Sequence, residues 1–135
     1  MKDEDVLVLI RLRLEQARTA IHDGEVLLRE KCSPQSIINR SYYAMFYAAL
    51  ALLQSVGKVP SKHKGVLALF DTDFVQKGVL PRHLSRDIRM AFEARLEADY
   101  RSAQVVTHKE AKGFLDKAKT FVSAVTSFLT SRQSL

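Results

Sequence analysis

The stretch from Pro34 to Val56 restricts the fold more than any other, because it is helix-forming and apolar around most of its circumference. Ile38, Tyr42, Met45, Ala49, Leu52, Leu53 and Val56 recur at three- and four-residue steps. Tyr43, Phe46, Tyr47 and Leu50 add apolar surface around much of the rest. Such a helix must be covered on nearly every side, so it belongs at the centre of a bundle or against a partner subunit. Its ends are marked: Ser33 can cap it, Pro34 fits the first position where no amide donor is missed, and Gly57 stops it.

The rest of the chain supplies the cover. A first helix is predicted from Asp3 to Arg29, with Val6, Ile10, Leu14, Ala17, Ile21, Gly24 and Leu28 on one face and three acids at its positive end. A third should run from Lys62 to about Gln76, with Val66, Leu67, Phe70 and Phe74 facing in, before Lys77-Gly78 and Pro81 end it. A fourth spans roughly Arg82 to Ser102, with Leu84, Ile88, Ala91, Phe92 and Arg95 along one side. Thr107 and Glu110 have capping-box spacing, and a fifth helix follows on Ala111, Phe114, Ala118, Phe121, Val125 and Phe128, widened by Leu115, Val122 and Leu129. With no strand pattern and short connections, the expected fold is all-α: an up-and-down antiparallel bundle of four to five helices. At 135 residues, 47% of them hydrophobic, the chain 1–135 reads as one domain.

Several function classes lose support at this level. No apolar run approaches the roughly 20 residues of a membrane span. The start, Met1-Lys2-Asp3-Glu4-Asp5, is acidic and lacks the basic region of a signal peptide, so a cytoplasmic location is expected. One cysteine, Cys32, cannot form an internal disulfide or a cysteine zinc site. His83 and Asp87 are four apart, too little for a metal site, and no Gly-rich phosphate loop exists; neither metal nor cofactor is expected. The net charge of +6 suits a polyanionic partner as well as plain surface lysines. The clustering of Lys58, Lys62, His63 and Lys64, and of Arg82, His83, Arg86 and Arg89, favours a nucleotide or RNA.

Candidate chemistry gathers in two segments. In Asn39-Arg40-Ser41-Tyr42-Tyr43-Ala44-Met45-Phe46-Tyr47, residues Arg40, Tyr43 and Tyr47 share one helical face. An arginine in so apolar a helix needs a carboxylate, a phosphate or water. One reading pairs Arg40 with Asp99 and makes the tyrosines core aromatics; the other aims its guanidinium at a phosphate, with tyrosines stacking on a base. In the second segment Arg95 and Asp99 are four apart and can pair, with Tyr100 beside them.

These segments resemble the signature of the HEPN family, in particular its stand-alone bacterial and archaeal members. The likeness lies in the Asn-Arg-x-Tyr-Tyr-Ala-Met-Phe helix at Asn39 to Phe46 and in Pro60, Lys62 and His63. It continues in Phe74, Val75 and Gly78, then in Arg95, Ala98, Asp99 and Tyr100. The resemblance implies a helical bundle that dimerises and often partners a minimal nucleotidyltransferase as toxin and antitoxin. It also implies that active members cleave RNA without metal, through an arginine followed by a histidine. Arg40 matches that arginine, but Tyr47 stands where many relatives carry histidine, and a phenol is a poor proton carrier at neutral pH. The expectation is therefore a homodimer that binds a nucleotide or RNA through Arg40, Tyr43, Tyr47, Lys62, His63 and Lys64, with little catalysis. The alternative is a metal-independent endoribonuclease toxin using Arg40, with His63 replacing the missing histidine if the fold brings it close.

Overall fold

The computed structural model describes residues 3–100 and 106–132, without the Tyr100 side chain. Among the described residues there are five α-helices and no strand: α1 (Asp3–Arg29), α2 (Pro34–Ser55), α3 (His63–Phe70), α4 (Arg82–Tyr100) and α5 (His108–Arg132). They form a helical bundle around α2, which touches all four others. Eleven of its residues are buried, from Ile37 to Leu53, as an almost wholly apolar helix requires. The last predicted residues of α4, Arg101 and Ser102, lie outside the described residues.

The ends follow their local chemistry. The Ser36 amide donates to Ser33 Oγ at 3.2 Å, and Pro34 opens α2. Gly57 adopts φ 74°, so that the Lys58 amide reaches back to Leu53 O at 2.9 Å. The capping box at α5 forms in both directions: the Glu110 amide donates to Thr107 Oγ1 at 3.1 Å, and the Thr107 amide to Glu110 Oε1 at 3.4 Å. His108 Nε2 also lies 2.8 Å from Cys32 O, tying the start of α5 to the α1–α2 turn.

Three details depart from expectation, the first being Val56, which was expected in the buried stripe of α2 but lies just past the helix end and is 51% exposed. The predicted third helix is α-helical only to Phe70; residues Asp71–Val75 form a π-helical turn, closed by the Gln76 amide on Asp71 O at 2.8 Å. The wider turn buries both Phe74 and Val75, and it aims the Asp71 carboxylate at Ser85 Oγ and Gln76 Nε2, each donating at 2.6 Å. On α5, the buried seam runs through Ala111, Leu115, Ala118, Phe121, Val122, Val125 and Leu129, while Phe114 and Phe128 are only partly buried. The seam is rotated toward the supposed flank because α5 packs against both α1 and α2. Gly24 marks that junction: a Cβ there would come within 2.8 Å of Leu115 Cδ1 and 3.7 Å of Arg40 Cβ, so the missing side chain lets the three helices close.

Candidate functional site

On α2, Arg40 follows Asn39, and the two side chains pair: Arg40 Nε and Nη2 both donate to Asn39 Oδ1, at 3.1 and 2.8 Å. The expected Arg40–Asp99 pair is replaced by two other pairings. Arg40 and Asp99 line the same cleft, of about 340 Å³, with Leu27, Gln35, Ser36 and Asn39. Asp99, however, pairs along its own helix with Arg95, Oδ2 to Nε at 3.2 Å. That buried nitrogen makes no directed hydrogen bond. Arg40 is thus held by a neutral amide, and among the described residues no acid is bonded to it.

The three residues predicted to share a face do so. The Arg40 guanidinium carbon lies 5.4 Å from the centre of the Tyr43 ring, and Tyr47 lies 5.9 Å from the same ring. Arg95 also approaches Tyr43, at 5.2 Å, and Tyr42 at 5.8 Å. One phenol ring therefore meets two cations, an arrangement favoured by the negative face of an aromatic ring. Neither the role of Arg95 over the rings nor that of Asn39 was anticipated. The adjacency of Asn39 and Arg40 was a visible signal, whereas Arg95 reaches Tyr43 only because α4 packs on α2.

The basic loop splits. His63 turns inward: its ring stacks on Phe46 at 4.3 Å with 13° between planes, meets Tyr43 edge-on at 5.9 Å, and has Nδ1 2.7 Å from the Tyr42 hydroxyl. Burial, then the nearby Arg95 cation, pushes the His63 pKa below its ordinary value, so the ring is neutral. Burial foremost, with Tyr43 assisting and Arg95 opposing, raises the Tyr42 pKa, so its hydroxyl keeps its proton and shares a hydrogen bond with His63 Nδ1. Lys62 and Lys64, on either side, are exposed. Lys58 is taken out of the group by an ion pair with Asp73. The fold therefore brings His63, but not Lys58, to the aromatic cluster that Arg40 touches. Sequence reading had placed Tyr42 in the core stripe and His63 in a basic loop; nothing local couples two residues 21 positions apart.

Elsewhere, His83 Nδ1 lies 3.2 Å from Asp87 Oδ2, and Lys117 Nζ lies 4.0 Å from the other oxygen of this buried carboxylate. This is an ion-pair cluster; no trio of His, Cys, Asp or Glu among the described residues could hold a metal. No helix among them is long and apolar enough to cross a membrane.

Known proteins similar to this chain match it over most of its length. A UPF0332 protein of Thermotoga maritima is 36% identical over 110 residues, covering 82% of this chain and 83% of its own. A Methanocaldococcus jannaschii protein named "putative toxin" is 34% identical over 122 residues, covering 90% of this chain and 82% of its own. A second protein of that organism with the same kind of name is 29% identical over 123 residues, covering 91% and 90%. The HEPN domain pattern matches residues 10–128, from the first buried residue of α1 to the last turns of α5. With the central helix and its arginine, the aromatic row and the late Arg-Asp pair all inside that span, the chain belongs to the HEPN domain family.

Proposed function

We propose that this chain is a one-domain, cytoplasmic HEPN protein that binds a nucleotide or RNA beside Arg40, and that it pairs with a minimal nucleotidyltransferase in a toxin–antitoxin-like system. The observation that carries the reading is the state of Arg40. Its guanidinium is oriented by Asn39 Oδ1 and by the Tyr43 ring, Arg40 lines a cleft, and among the described residues no carboxylate is bonded to it. A structural arginine in an apolar helix would be expected to end on an acid; this one keeps its charge for an incoming anion. Half-buried Tyr43 and Tyr47 extend the site with ring faces that suit a base, and the exposed Lys62 and Lys64 flank His63. The toxin names of two relatives support a toxin-like, RNA-related role. Titration of a labelled RNA oligonucleotide at low salt tests the reading. Binding should weaken with added salt as counterions are recovered, and Arg40→Ala should abolish most of it. No binding at low salt, or binding indifferent to Arg40→Ala, would overturn the proposal.

A second reading, cleavage of RNA by Arg40 with His63 as proton carrier, draws on one observation: both residues contact Tyr43, and His63 is neutral, the form a base needs. Its cost is equally plain. Nδ1 is engaged by Tyr42 and the ring is stacked on Phe46, leaving only Nε2. Cleavage abolished by His63→Gln with binding retained would favour this reading over the binding-only one.

A further inference from the structure

A second concentration of positive charge lies away from the Arg40 cleft, at the opposite end of α4. Arg82, Arg86 and Arg89 are spaced four and three residues apart, so they project from one side of the helix over about 10 Å of its length. They line a cleft of about 580 Å³ between the start of α4 and the π-helical turn, with Asp71, Gln76 and Ser85 in its wall. All three side chains are exposed, and among the described residues none makes an ion pair or hydrogen bond. Arg89 acts on Asp71 only through space.

This placement runs against the helix's own electrostatics. The first turn of α4 holds no acid, although a helix N-terminus is its positive end and disfavours cations. Like charges one turn apart repel as well. The single carboxylate in the cleft, Asp71, is hydrogen-bonded by Ser85 and Gln76 and anchors the π-helical turn to α4; it can offset only one of the three positive charges. Arg86 also borders the neighbouring cleft of His83, Asp87, Asp116, Lys117 and Thr120, but the acids there are engaged by His83, Lys117 and Lys112.

We infer that the Arg82–Arg86–Arg89 cleft is an anion site for phosphate groups, distinct from the site on α2. Three planar guanidinium forks around a concave space suit phosphate oxygens, which they can grip in pairs. The phosphate can come from a free nucleotide or from a polynucleotide backbone, and the test separates these sources. The variant Arg82→Gln/Arg86→Gln/Arg89→Gln is compared with Arg18→Gln/Lys119→Gln, which removes charge from the α1–α5 face instead.

Pyrophosphate is titrated by calorimetry and by its effect on Tm, and a labelled single-stranded RNA oligonucleotide by anisotropy over a salt series. At least a tenfold loss of affinity is expected in the triple variant alone. If the source is a backbone, the oligonucleotide shows that loss and the slope of log K against log salt falls by about 2, for three single-strand phosphate contacts. If it is a free nucleotide, pyrophosphate saturates and raises Tm in the unmodified protein but not in the triple variant. Without ligand the triple variant should melt close to the unmodified protein, since the repulsion it loses is set against the lost attraction of Arg89 for Asp71; a properly folded variant that binds both probes unchanged overturns the site. So does an equal loss in the α1–α5 control, or the absence of any binding of either probe to the unmodified protein. Because the oligonucleotide also reads the Arg40 site, Arg40→Ala is titrated beside the triple variant with both probes, and a loss confined to one of the two variants assigns that binding to its own site, so either site can fail without the other.

Discussion

Tyr47 stands where the HEPN resemblance implies a histidine, and His63 is the histidine that the fold brings to the Tyr43 ring. Tyr47 lies in the aromatic row beside Tyr43, but a phenol ordinarily holds its proton at neutral pH and cannot serve as a base. Little RNA cleavage is therefore expected from the unmodified protein. Tyr47→His should raise the rate measurably in a labelled-RNA assay, and brisk cutting by the unmodified protein that Arg40→Ala abolishes would reverse the non-catalytic reading. His63 yields a prediction of different kind. Its folded pKa is depressed below the ordinary value of 6.5, so the unfolded chain takes up its proton first as pH falls. The stabilisation is fully present above 6.5 and is lost progressively below it as pH approaches the lower folded value. Melting curves from pH 7.5 to 5 should show a drop in Tm that His63→Gln reduces. Asp71 and Asp73 have pKa values depressed below 3.8, so their stabilisation is present above that pH and their losses fall at more acid pH, outside this window.

At the scale of elements, the helix ends and the π-helical turn carry separable contributions. Ser33 satisfies an orphan amide of α2, so Ser33→Ala should cost about 1 kcal/mol in urea unfolding. A cost near zero would mean that Pro34 and water suffice there. Ser85 is nearly buried and donates to Asp71 across the join between α4 and the π-helical turn. Its replacement by alanine should cost about 1–2 kcal/mol, since the lost bond is to a charged, partly solvated acceptor. Hydrogen exchange should then speed up at residues 71–76 before it does in α2; unchanged exchange there would show that backbone geometry alone holds the turn. Helix ends were legible because capping is a local transaction among four or five residues. The π-helical turn was not, because its stabilising partner, Ser85, is 14 positions away.

For the whole molecule, the open matter is what covers the remaining apolar surface. Tyr43, Phe46, Tyr47 and Leu50 on α2 are only partly buried, and Met90 on α4 is 42% exposed. These support a homodimer through α2 and part of α4. Light scattering at micromolar concentration should report twice the chain mass, and a monomer would sink the idea. Val8 and Leu12 on α1, at 59% and 49% exposed, offer a rival face. A dimer that survives Tyr47→Asp but not Leu12→Asp would move the interface there. The core itself should be unforgiving. Leu52 is fully buried on the central helix, and Leu52→Ala should cost about 2–5 kcal/mol because its neighbours on several helices cannot all collapse into the gap.

Helix number, order and most boundaries were determined by the sequence alone, because periodicity, caps and stops act between residues a few positions apart. The shared face of Arg40, Tyr43 and Tyr47 was legible for the same reason: 3.6 residues per turn fix it wherever the helix lies. Only the tertiary structure decided the partners. Asp99 turned to Arg95 and Arg40 to Asn39. His63 left the basic loop for Tyr42 and Phe46, and Arg95 came to rest against Tyr43. Each of these choices is a competition among groups distant in sequence, settled by how α2 is surrounded and by the cost of leaving a buried polar group without a partner.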